Sequence, residues 1–358
     1  MMMIQRGIPL YHHHHHHHPF AQIQPVIYHH RPIAVPLYHR PSPPQFQRGF
    51  PPFTVVGGPI YRQESVKRAD RVEVRRVCRY NLKAELALIQ SLIRSGYRFA
   101  SMDTEFPGTV VPSKIERHLI SQAIPVHVYE MMKDNVDRTH IIQLGLALSD
   151  PCGNLPLHDG AYCFWEFNFS DFDVNCDQHL RNSDSIDLLK RQGIDFSENK
   201  ETGICSAEFA EEIERSGLVK LLPCLTWATF QSAYDFGFLT KILTGKKKLP
   251  EDIKEFMGNV KTYFGPKVYD IKYMMKYCDG LFGGLDRVAE TLGVSRVAGS
   301  SHQAGSDSLL TLQTFVKLLK MEKNKGKDKE NYENYCKLCE ECRGVLHGLG
   351  SLDFWHHC

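Results

Sequence analysis

From about residue 77 to residue 321, apolar positions recur at helical or strand spacing, and glycines punctuate them. Leu82, Leu86, Ile89 and Ile93 fall on one helical face behind Asn81, a good N-cap residue, and Gly96 stands where a C-cap belongs. Phe99, Ala100 and Met102 lead a short buried strand that carries Asp103 and Glu105 and ends in the turn Phe106-Pro107-Gly108. A helix is predicted around Tyr129 to Asp137, then a buried strand over Ile141 to Leu148, a turn at Asp150 to Asn154, and an aromatic strand over Tyr162 to Phe169. These first three strands can form an antiparallel meander.

The texture then changes. Ser185 to Gln192 and Ser206 to Ser216 read as helices stopped by Gly193 and Gly217. Leu225 to Phe230 is a strand, followed by a helix from about Asp235 to Leu243. Val268 to Asp270 is a short strand feeding a helix over Ile271 to Cys278, and Asp286 to Leu292 is a helix ended by Gly293. Ser306 to Met321 is a long helix whose apolar face is Leu309, Leu312, Phe315, Val316 and Leu319. Three antiparallel strands followed by alternating helices and strands predict an α/β mixed sheet covered by helices.

Composition changes this picture at the two ends. Proline supplies 11 of the first 60 residues, His12 to His18 are unbroken, and no acid occurs before Glu64. Such a stretch cannot bury enough surface to offset its ordering entropy, so 1–76 is expected to be a disordered arm. The histidine run reads as a low-complexity tract able to take up metal adventitiously. Residues 322–358 read as a second, polar tail, leaving 77–321 as the folded domain. Within the tail, Cys336, Cys339 and Cys342 have a spacing that can hold a structural Zn²⁺, with His347, His356, His357 and Cys358 beyond, against the plainer reading of free thiols.

Net charge is +2, so no global basic field marks a nucleic-acid binder and any such contact must be local. Lys246, Lys247 and Lys248 read first as a solvated turn, with contact to RNA phosphates as the alternative. Phe106 and Phe264 are candidates to stack on bases, against the core packing that accounts for most aromatics. No apolar stretch reaches transmembrane length, and no secretory signal is visible. Eleven cysteines without framework spacing before residue 330 point to a reducing compartment, cytoplasm or nucleus.

Asp103 and Glu105 are two apart on a strand and so project from the same side. An isolated pair of this kind is ordinarily a solvated strand end; it is also a way to hold Mg²⁺ or Mn²⁺ through hard oxygen ligands. Asp235 and Asp307 each fall at a helix start, where the macrodipole alone favours a carboxylate, Asp307 with Ser306 as its cap. Taken together, four carboxylates at strand ends and helix starts can converge on one sheet edge, and His302 lies five residues before Asp307. Two-metal phosphodiester hydrolysis requires such a set, with the imidazole taking the proton of the attacking water.

Asp-x-Glu, then Asp, then His-x₄-Asp is similar to the pattern of the DEDD exonucleases in their His-containing branch. From about Tyr80 to Leu319 the chain resembles the Caf/Pop-type deadenylases, carbon-catabolite-repressor-associated catalytic subunits of the Ccr–Not complex. The resemblance is carried by Met-Asp-Thr-Glu-Phe-Pro-Gly (102–108), Ile-Gln-Leu-Gly-Leu (142–146), Trp-Glu-Phe-Asn-Phe (165–169) and Asp-Ser-Ile-Asp-Leu-Leu (184–189). It continues in Tyr-Asp-Phe-Gly (234–237), Tyr-Asp-Ile-Lys (269–272) and His-Gln-Ala-Gly-Ser-Asp-Ser-Leu-Leu-Thr (302–311). It implies a ribonuclease H-like fold and removal of mRNA poly(A) from the 3′ end with release of 5′-AMP. It also implies two Mg²⁺ or Mn²⁺ held by Asp103, Glu105, Asp235 and Asp307, His302 as general base, and a Not-type scaffold and a Ccr-type second nuclease as partners.

The chain departs from the family's His-Ser-Gly at Gln231-Ser232-Ala233, and Asp137-Arg138-Thr139-His140 is more polar than the family pattern. Two other readings are a scaffold or RNA-binding subunit without useful turnover, which would be expected to have lost a ligand, and a DNA-directed proofreading exonuclease.

Overall fold

The computed structural model describes residues 71–112, 123–325 and 338–353, all within the unit Ser65–Cys358. Residues 1–70, which make up nearly all of the expected arm, lie outside the described residues. The strands are β1 (Val72–Val77), β2 (Phe99–Glu105), β3 (Gln143–Ser149), β4 (Leu157–His158), β5 (Ala161–Asn168), β6 (Thr226–Thr229), β7 (Val268–Asp270), β8 (Val345–Leu346) and β9 (Gly350–Ser351). The α-helices are α1 (Leu82–Ser95), α2 (Pro125–Val136), α3 (Ser183–Arg191), α4 (Phe196–Thr202), α5 (Ser206–Arg215), α6 (Ala233–Leu243), α7 (Ile253–Phe264), α8 (Ile271–Met274), α9 (Leu285–Thr291) and α10 (Ala304–Lys325).

The strands form one mixed sheet ordered β1-β5-β3-β2-β6-β7-β8-β9, with β4 paired to β5. β2, β3 and β5 make the expected antiparallel meander, and β6 and β7 add in parallel beside β2. Helices cover both faces, giving the ribonuclease H-like α/β architecture. Leu82, Leu86, Ile89 and Ile93 bury as their spacing demands, and Gly96 closes α1 in the left-handed conformation. Asn81 precedes the helix, but its side-chain Oδ1 accepts from the Cys78 N–H instead of capping α1.

The expected arm boundary at residue 76 falls inside β1. That strand is an edge strand with Glu73, Arg75 and Arg76 among its six residues, and the apolar alternation that announces a strand breaks off after Val74. A partner distant in sequence holds it. The Arg75 guanidinium donates twice to the Glu85 carboxylate of α1, at 2.7 Å each, and the Trp165 Nε1–H donates to the same carboxylate at 2.9 Å. Burial pushes the Glu85 carboxyl up, but these donors outweigh it and hold it below its usual value. Stability from this group is therefore fully present above the usual glutamate range and is lost as pH falls through the lowered value. A Glu85→Gln variant is expected to lose about 2–3 kcal/mol at pH 7 in urea denaturation. That deficit should shrink as the pH is taken into the acid range.

The expected polar tail also contains structure. α10 runs to Lys325, and residues 338–353 return to the sheet, where β8 pairs with β7 and β9. Leu346, Leu349 and Leu352 are buried there. Two-residue strands between Gly344, Gly348 and Gly350, all at positive φ, carry no periodicity to read. Cys342 is buried with Leu338, Met274 and Phe315, and burial pushes its thiol up to about 12, the disposition of a core thiol. Cys336, His356, His357 and Cys358 lie outside the described residues.

α7 was not expected, although Ile253, Phe256, Met257, Val260 and Phe264 all bury at helical spacing behind the Asp252 cap. The polar stretch after α2 is engaged: Asp137 pairs with Lys133 at 2.7 Å and accepts from the Leu249 N–H. Among the described residues no helix is long and apolar enough to cross a membrane.

Candidate active site

The five chemically suspect residues line a single cleft of about 740 Å³ at one edge of the sheet. Asp103 and Glu105 enter from the C-terminal end of β2, as period two requires. Asp235 enters from the first turn of α6 and Asp307 from the first turn of α10. The ligand atoms of Glu105, His302 and Asp307 all lie within 4.8 Å of one another.

Each element is placed by specific contacts. The Asp235 Oδ1 accepts from the Thr104 N–H at 2.8 Å and from the Thr104 hydroxyl at 2.5 Å, tying α6 to β2. The Ser101 hydroxyl donates to the Ser308 carbonyl, tying α10 to the same strand. Gly145, opposite Asp103 in register, lets the N-terminus of α10 lie directly on β3. The free N–H groups of α10 are met by strand side chains: Gln143 Oε1 accepts from Ala304, and Glu166 accepts from Gly305. Ser306 is thus not the cap. The helix starts at Ala304, and the Ser306 hydroxyl donates to the Ala298 carbonyl while accepting from Arg296.

The loop before α10 is held by Arg296. Its guanidinium reaches Asp307 at 2.7 Å and Asp286 at 2.6 Å, and Ser301 also donates to Asp286. His302 adopts φ +61°, unusual for a residue with a side chain, and its N–H donates to Asp307 Oδ2 at 2.8 Å. Asp270, fully buried, organises the opposite wall. It accepts from the N–H groups of Gln231, Ser232, Lys272 and His347. Gln231 takes φ +58° there, so the departure from His-Ser-Gly leaves a loop anchored by backbone donors, and Ala233 becomes the first residue of α6.

Crowding sets the electrostatics. Burial, then Asp235, Glu105 and Asp307, raises the Asp103 carboxyl well above the usual range. Burial and Asp307 push Glu105 up to about 8. Burial raises Asp235 to about 7 against the opposing hydrogen bonds from Thr104. Burial also raises Asp307, while Arg296 pulls it back. Clustered hard oxygen donors whose ionisation is opposed by one another fit divalent cations of the Mg²⁺ or Mn²⁺ kind.

Thr104, Gly145, Glu166, Asp270 and Arg296 were missed as supporting residues. A glycine inside a strand signals a close backbone approach, which identifies Gly145; Arg296 left no local signal. Phe106 lines the cleft, stacked on Tyr234 with centroids 4.9 Å apart, whereas Phe264 is core, packed on Trp227 and Phe236. Lys246 pairs with Glu255 at 3.1 Å, and the cleft lining does not include Lys246, Lys247 or Lys248.

Residues 77–220 match the model of the CAF1 family ribonucleases. The chain is 44% identical over 289 residues to the probable CCR4-associated factor 1 homolog 7 of Arabidopsis thaliana, covering 78% of this chain and 94% of that protein. It is 44% identical over 246 residues to the poly(A) ribonuclease pop2 of Schizosaccharomyces pombe, covering 68% and 69% of the two chains. The solved S. pombe Pop2p in its Mg²⁺- and Mn²⁺-bound form superimposes with a TM-score of 0.61 at 41% identity, over 72% of this chain and 96% of that one. CAF1 crystallised with the yeast NOT1 MIF4G domain gives a TM-score of 0.54 at 32% identity, over 70% and 89%.

Proposed function

The chain belongs to the CAF1 family of ribonucleases, and from that premise we propose that it shortens the poly(A) tails of mRNA from the 3′ end, releasing 5′-AMP. The observation that carries this reading is the convergence of Asp103, Glu105, Asp235, Asp307 and His302 on one cleft. No member of the set is lost, which argues against a scaffold without turnover.

Asp103, Glu105, Asp235 and Asp307 would hold two Mg²⁺ or Mn²⁺, which when bound supply an acidified water and charge to offset the leaving oxygen. The protein's own groups do the rest. His302, held by its N–H on Asp307 beside Glu105, would take the proton of the attacking water. Arg296 neutralises part of the acid cluster and keeps Asp307 oriented. Phe106 and Tyr234 present a stacked apolar wall to the terminal base. The partners are a Not-type scaffold and a Ccr-type nuclease, and the setting is the cytoplasm and nucleus. Support for the scaffold comes from the resemblance to CAF1 solved with NOT1.

The test is incubation of the purified full chain with a 3′-adenylated RNA, with and without EDTA, following AMP release. A His302→Ala variant is expected to lose about 10²–10⁴-fold in rate, about 3–5 kcal/mol of barrier. Unchanged turnover in that variant removes the assigned role.

A further inference from the structure

Beyond the catalytic cleft, one loop exposes an aromatic ring that nothing in the fold requires. Phe282 is 56% exposed, in the turn between α8 and α9. Its ring is held from one side: the Arg287 guanidinium lies 4.0 Å from the ring centroid. Gly283 makes this possible, since a Cβ there would press on the Arg287 side chain, and Gly280 and Gly283 both take positive φ. The loop is tethered as well, because the Lys272 ammonium donates to the Gly283 carbonyl. The same ammonium lies 5.7 Å from the centroid of Phe230. Both Arg287 and Phe230 line the catalytic cleft, so the exposed ring packs against a residue of its wall.

Resting on the deadenylase reading above, we propose that Phe282, backed by Arg287, is a stacking platform for single-stranded RNA, receiving a base upstream of the 3′ terminus held in the cleft. Arg287 covers one face of the ring and leaves the other to a base, so the platform is ordered before substrate arrives. Lys272 and Arg287 supply positive charge at the same step, where the phosphates must pass. A π-face accepts any base, so the platform adds affinity along a homopolymer without reading sequence.

The experiment compares steady-state AMP release by the full chain from a tri-adenylate and from an oligo(A) long enough to leave the cleft, for the wild type, Phe282→Ala and Phe282→Trp. Phe282→Ala is expected to raise KM for the long substrate by about 5- to 100-fold with kcat kept, and to leave the trinucleotide reaction unchanged. Phe282→Trp is expected to restore the long-substrate KM. An unchanged KM for the long substrate, an equal rise for both substrates, or failure of Trp to restore it would overturn the proposal. If the wild type releases AMP from neither substrate, the deadenylase reading itself falls and takes this platform with it.

Discussion

An Asp103→Asn variant is expected to lose about a thousandfold or more in AMP release from adenylated RNA, while its metal-free form melts at a higher temperature than the wild type. The two halves share one cause. Asp103 sits among Asp235, Glu105 and Asp307, and burial with these neighbours lifts its carboxyl well above the usual range. Asparagine keeps the shape and removes one of the mutually repelling charges. Relief of that repulsion is expected to contribute about 1 kcal/mol, or about 2–4 °C in Tm. The same substitution would withdraw one of the proposed anionic ligands, and several kcal/mol of charge stabilisation corresponds to about three decades in rate. With Mn²⁺ added the order of melting temperatures should reverse, because only the intact site gains from the ion. Differential scanning fluorimetry with and without EDTA reads both halves. Equal metal-free melting temperatures would mean that these carboxylates do not crowd one another.

Gly145→Ala is expected to lower turnover about 100-fold without changing any of the five cleft residues. A Cβ at residue 145 would fall inside the Ala304 carbonyl group and within 2.6 Å of the Gly305 nitrogen. These are backbone atoms at the start of α10, so no side-chain rotation relieves the clash, and the helix must back away from β3. Asp307 rides on its first turn and His302 lies two residues before its start. A displacement of about 1 Å at such a site costs about 100-fold, and overpacking adds about 1–3 kcal/mol of destabilisation. Rate measurements on protein shown to be folded by circular dichroism check this. A variant with wild-type kcat would show that α10 is not seated on Gly145.

The parts of this site that could be read from the chain are the parts governed by local rules. Period two in β2 places Asp103 and Glu105 together, and the onset of helical periodicity places Asp235 and Asp307 at helix starts. The rest depends on partners far apart in sequence. β1 is stabilised by Glu85 and Trp165, so its Arg-rich sequence looked like part of the arm. Ser306 has the composition of a cap, yet the donors of α10 are met by Gln143 and Glu166, more than a hundred residues earlier. Arg296 gains its importance only when the loop folds over Asp286 and Asp307. The β8–β9 hairpin needs β7 as its neighbour before its two-residue strands mean anything.

The proposed function rests on four acids and one imidazole sharing a cleft that would hold divalent cations. Anomalous diffraction at the manganese edge, from crystals of the full chain grown with Mn²⁺, tests this most directly. The account predicts peaks inside the cleft, between the carboxylates of Asp103, Glu105, Asp235 and Asp307 and beside the His302 ring. Peaks confined to outlying acids or to the histidine run, in protein that still trims adenylated RNA, would contradict it.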